Sequence, residues 1–150
     1  MRASALSARR LLPWLPPIAL MVLIFVLSSQ SGLRVSEDVA VERPIRFSGH
    51  LLAFGTLAGL LLVALCWGRR PRARDAIVAF GITLVYAMTD ELHQSLVPDR
   101  NGRIDDVVTD ALGAVIGVAV AWVLLVTLGR GLLDRLQDGA ADLHAERQDP

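Results

Sequence analysis

The sequence predicts an all-α fold, a polytopic membrane protein built as a bundle of four transmembrane helices. Three observations predict it. Apolar residues make up 53% of the 150-residue chain, and they fall in blocks of membrane-spanning length separated by charged blocks. They are not interleaved with charges every third or fourth residue, as the helices of a soluble domain of this size would be. A dense polar stretch, residues 90–117, lies between two of the most apolar blocks. Polar groups that close to lipid are costly unless they are paired, hydrated or used.

The first block covers residues 11 to about 27, behind a short basic segment at residues 1–10. Pro13, Pro16 and Pro17 crowd its start, so a regular helix is expected from about Pro16 or Pro17. A cleaved signal peptide is the competing reading, with its basic start, apolar middle and small residues at 28–32. Residues 33–46 read as a mixed-charge loop. The second span is expected from about Phe47 to Trp67, with His50 in its first turn and Trp67 at the far interface. Gly55 and Gly59 form a small-residue packing face on it. Residues 68–75 are a short loop with four arginines.

The third span is apolar only from Ala76 to Thr89, 14 residues, or about 21 Å of helix. That is too short for a hydrocarbon core of about 30 Å. The helix must therefore continue through Asp90, Glu91 and Gln94, with Pro98 as its stop. Residues 98–103 read as a tight turn. The fourth span runs from about Ile104 to Leu128. Asp105, Asp106 and Asp110 occupy its first two turns, where they suit the helix dipole, and Gly113 and Gly117 form a second packing face. Residues 129–150 are expected as a polar tail, frayed helix or unstructured.

All 15 basic residues are arginine, which excludes lysine Schiff-base chemistry. Zero formal net charge gives no reason to expect nucleic acid as a partner. Cys66 is the sole cysteine, so no intramolecular disulfide and no Cys-based metal site is possible. Residues 1–10, the 68–75 loop and the tail carry ten arginines, the other two loops five. The positive-inside rule then places both termini in the cytoplasm of a multi-pass cell-membrane protein, with the polar stretch facing outward.

Helical spacing puts Asp90 and Gln94 on one face of the third helix, and Asp106, Asp110, Gly113 and Gly117 on one face of the fourth. His50 enters at a similar depth from the second. Arg100 and Arg103 stand on the connecting turn, close enough to pair with the acids. The candidate ligand-binding residues are His50, Asp90, Glu91, Gln94, Arg100, Asp106 and Asp110, and the packing residues Gly55, Gly59, Gly113 and Gly117. Such a cluster is either a structural ion-pair network or a site. Close carboxylates raise one another's proton affinity, so acid/base catalysis stays open. Asp90 and His93, three apart, with Asp106 and Asp110 make a weak metal pattern, and neither metal nor cofactor is assigned.

The segments FVLSSQSG, SGHLLAFGTLAGLLL and DELHQSLVPDRNGRIDDVVTDALGAVIG resemble the VanZ-like family, named for a teicoplanin-resistance protein. The resemblance covers about residues 12–128. The family usually has a Lys before the histidine segment; here Arg46 is the residue that can stand in for it. Where the family tends to have Asn, this chain has Asp110, an added negative charge. The resemblance implies a small integral membrane protein of bacteria associated with glycopeptide tolerance and cell-envelope function. The expectation is a protein whose outward polar site binds an amphiphilic or lipid-linked envelope molecule in the bilayer. An intramembrane acid/base enzyme on envelope lipids and a purely structural Arg/Asp cluster are the alternatives.

Overall fold

The structure, a computed structural model, describes residues 11–31, 38–98 and 103–146, with side chains as far as residue 129. Among these residues there are helices and no strands. A 3-10 turn, Leu12–Trp14, leads into α1, Leu15–Ser28. Pro16 and Pro17 sit in the first turn of α1, where backbone N–H groups have no intrahelical partner and proline forfeits no hydrogen bond. At 14 residues α1 is about 21 Å long. The 3-10 turn adds about 6 Å, which brings the pair near the thickness of a hydrocarbon core.

Helix α2 spans Val39–Leu65, starting eight residues before the expected Phe47. Asp38 explains the difference. Its carboxylate accepts a hydrogen bond from the Ala40 N–H at 2.9 Å, satisfying one of the orphan donors of a helix start, and Glu42 lies in the first turn on the favourable side of the dipole. Pro44 is tolerated within this charged beginning. The 27 residues make about 40 Å of helix, so α2 exceeds the hydrocarbon core. The extension also places Arg46 and His50 four residues apart on one helical face.

Helix α2 ends in a turn through Gly68, whose φ of 74° is a left-handed conformation that glycine adopts without penalty. Helix α3, Ala73–Ser95, begins with Asp75 accepting the Arg72 N–H at 2.9 Å and two bonds from Arg69 at 2.7 and 2.9 Å. That carboxylate raises the proton affinity of the Arg69 guanidinium. The helix continues through Asp90, Glu91 and Gln94, as the shortness of its apolar run requires. Helix α4 spans Ile104–Glu146; its part of membrane-crossing length and composition is Ile104–Gly129, and the helix carries on through most of the polar tail.

Three helices are thus long and apolar enough to cross a membrane, and α1 with its 3-10 turn is a shorter apolar fourth. The most extensive contact is between α2 and α4. Gly55, Gly59, Gly113 and Gly117 line it. A methyl group added at Gly55 would stand 2.9 Å from the Gly113 carbonyl oxygen, and one at Gly59 would stand 3.3 Å from that of Gly117. At Gly113 and Gly117 it would collide with the backbone of Leu51 and Gly55. Only residues without a side chain let two helix backbones approach this closely. Phe54, Leu57, Ala58, Leu61, Leu62, Ala79 and Ala87 fill the interior. Around it, Ile18, Val22, Phe25, Leu52, Ile77, Val85, Val115 and Val123 are exposed. That apolar exterior is a liability in water and suits lipid.

Candidate functional site

The polar groups collect at one end of the bundle, where α2 and α4 begin and α3 finishes. Arg46 and His50 come from α2, Asp90, Glu91 and Gln94 from α3, and Asp106 and Asp110 from α4. Arg46 bonds Asp106 Oδ2 through Nε at 3.0 Å and Nη2 at 2.6 Å, and Nη2 also reaches Gln94 Oε1 at 3.4 Å. Gln94 donates from Nε2 to Asp90 Oδ2 at 2.8 Å. One cation and one amide therefore link all three helices. His50 Nδ1 lies 2.9 Å from Asp110 Oδ1, and Asp110 is wholly buried.

Glu91 accepts the backbone N–H of Arg103 through Oε2 at 2.7 Å. The Arg103 side chain turns instead to exposed Asp105 at 3.2 Å. The arginine paired with the inner acids in this description is thus Arg46, not Arg103, and Arg100 lies outside the described residues. The sequence pattern alone puts Arg46 in the 33–46 loop, outside the candidate residues. The signal that would have found it is Asp38, a helix-capping residue that puts residues 46 and 50 in register. His93 does not join Asp90 either. Its Nε2 is 3.0 Å from Ser29 Oγ, and its ring stacks on Phe25 at 4.6 Å, so it fastens α3 to the end of α1.

Three oxygens here are buried and find no hydrogen-bond partner among the described residues: Asp90 Oδ1, Glu91 Oε1 and Asp110 Oδ2. Buried polar atoms are nearly always satisfied, so these three stand out. Among the described residues, Asp90, Glu91, Asp106 and Asp110 share the permanent charge of Arg46 and the titratable ring of His50. The cluster is therefore rich in hydrogen-bond acceptors. Beside it, an apolar groove of about 1040 Å³ runs between α2 and α4. It begins at Leu51 and Gly113, next to His50 and one turn beyond Asp110, and ends near Arg70 and Leu128.

A family model described as VanZ/LLP1 matches residues 14–126, which include every residue of this cluster and reach into all four apolar segments. The chain belongs to the VanZ/LLP1 family. Comparison with curated proteins returns no match, and comparison with solved structures returns none. The chain is thus a VanZ/LLP1 membrane protein whose matched region begins at Trp14, in the 3-10 turn ahead of α1, and stops within the apolar part of α4.

Proposed function

We propose that this protein holds an amphiphilic or lipid-linked molecule of the cell envelope, with the head in the polar cluster and the chain along the α2–α4 groove. The observation that carries the reading is the adjacency of the two. Asp110, which carries one of the orphaned buried oxygens, lies one turn from Gly113 at the start of an open apolar groove along the α2–α4 seam. A molecule with a polar head and a long apolar tail matches both environments without leaving either unsatisfied. Arg46 is already engaged by Asp106 and Gln94, so the cluster favours a head that offers donors, such as hydroxyl, amide or ammonium groups.

The arginine-bearing 66–72 turn lies at the opposite end of α2 and α3 from the cluster. With ten arginines on that side and five on the other, the positive-inside rule turns the polar end outward, toward the envelope, and leaves both termini cytoplasmic. The glycopeptide tolerance associated with the family would follow from occupancy of such an outer-surface site. A second reading, acid/base catalysis on the same molecule, draws on the His50–Asp110 contact at 2.9 Å, since a positioned imidazole and carboxylate are the usual proton-transfer pair.

The test is native mass spectrometry of the protein extracted in nanodiscs from its own membrane. The wild type is expected to retain an envelope amphiphile that the Asp90→Asn and Leu51→Trp variants lose, the first altering the head site and the second blocking the groove. Equal retention by all three would end the proposal. Chemical change of the retained molecule on incubation, abolished by His50→Ala, would select the enzyme reading.

A further inference from the structure

We propose that His50, Glu91 and Asp110 form a binding site for one divalent transition-metal cation. The three side chains come from three different helices, and each offers a ligand atom within 4.8 Å of the others. Two atoms bound to one cation at about 2.0–2.2 Å stand at most about 4.4 Å apart. A small rotation of one side chain therefore closes the set.

The hydrogen bonds inside the cluster leave room for such a cation. Glu91 uses Oε2 on the Arg103 N–H, and Asp110 uses Oδ1 on His50. The other oxygen of each, Glu91 Oε1 and Asp110 Oδ2, is buried and unpartnered, on residues only 6% and 0% exposed. These are two carboxyl oxygens with lone pairs to give and no hydrogen-bond donor among the described residues. Arg46, the permanent cation nearby among the described residues, is held by Asp106 and Gln94. A doubly charged cation balances two carboxylates and fills both vacant acceptors at once.

The donor set decides the class of metal. Oxygen alone would suit calcium or magnesium, but an imidazole with two carboxylates favours zinc, manganese or iron. His50 Nδ1 lies 2.9 Å from Asp110 Oδ1; with the ring proton on Nε2, Nδ1 keeps the lone pair a metal takes, on the side of the ring that faces Asp110. Three protein ligands leave a coordination position open. An oxygen of the amphiphile's head would have access to it, and Asp90 Oδ1 would remain to accept a hydrogen bond. The cation site uses the same cluster as the proposed function but does not depend on it.

The experiment uses the untagged full-length chain in detergent, stripped with a chelator and then equilibrated with Zn²⁺ alone. Bound zinc is counted by mass spectrometry, and Co²⁺ in its place is read by visible absorption. The expected result is about one zinc per chain, with His50→Gln and Glu91→Gln each weakening binding by at least about tenfold. Asp105→Asn, altering an exposed carboxylate at 82% exposure, should bind as the wild type does. Co²⁺ absorption bands should appear with the wild type and vanish with His50→Gln. Asp110→Asn alters a wholly buried group; should it not fold, the other two variants decide. Binding well below one equivalent by the wild type, or wild-type affinity in both His50→Gln and Glu91→Gln, overturns the site. Amphiphile retention in the same samples keeps the questions apart: a chain that retains lipid after stripping yet never binds zinc loses only the cation.

Discussion

Arg46 bonds Asp106 through two nitrogens while its side chain stays 32% exposed and that of Asp106 only 13%. Its third contact, Gln94, continues to Asp90. Removing the guanidinium leaves Asp106 partly buried without this cation and takes one contact from the Gln94 amide that donates to Asp90. Arg46→Gln should therefore lower stability by about 1–3 kcal/mol, the range for losing a charged hydrogen-bond partner discounted for exposure. The check is the midpoint of thermal unfolding in detergent, where Arg46→Lys should recover part of the loss. It should not recover all of it, because an ammonium lacks the planar fork that reaches Asp106 and Gln94 together. The acids themselves were legible in the sequence: Asp90 and Gln94 four apart, and Asp106 and Asp110 four apart, give their faces directly. Which cation they meet was not. The turn supplied two nearer arginines by number, and only the extended start of α2 brings Arg46 across.

Among the helices, the α2–α4 pair is the stiff core to which the other elements attach. Its closeness rests on backbone meeting backbone at Gly55, Gly59, Gly113 and Gly117. Gly117→Ala places a methyl against the Gly55 carbonyl, and neither helix can move away without opening the whole contact. Overpacking of this kind costs about 1–3 kcal/mol or more. Gly81→Ala on α3 is the matched control, since an added methyl there meets nothing within 4 Å. It should be neutral or stabilising by about 0.5–1 kcal/mol, because alanine restricts the unfolded chain. Thermal unfolding of the two variants side by side checks the contrast, and similar behaviour would mean the close approach of α2 and α4 is absent. The small-xxx-small spacing revealed these faces. It could not say that they face each other, because spacing assigns a residue to a side of its own helix and never to a partner.

For the molecule as a whole, the decisive quantity is which end faces outward. The polar cluster occupies one end and the Arg69–Asp75 pair the other. Cys66 is buried at 2% exposure, so the native chain offers a quiet background for thiol labelling. A membrane-impermeant maleimide applied to intact cells should modify Ser31→Cys, beside the polar end, and leave Arg70→Cys untouched until the membrane is opened. The reverse pattern would place the cluster in the cytoplasm and remove the envelope from the proposed function. This test concerns orientation alone, so the cation site and the α2–α4 packing stand whichever way it falls.

The sequence by itself determined that this chain is a helical membrane protein and roughly where each apolar segment lies. Spans of apolar residues have no other stable arrangement in lipid, where every backbone group must be satisfied within its own helix. It also determined that α3 runs on through Asp90 and Gln94, because 14 apolar residues cannot reach across a bilayer. Tertiary structure decided what the acids do. His50 was matched to Asp110, Arg46 to Asp106, and Glu91 to the backbone of Arg103, three contacts between residues 12 to 60 positions apart. Contacts across helices depend on rotation and depth within the bundle. Those are set by where four glycines let two backbones touch, which no local pattern encodes.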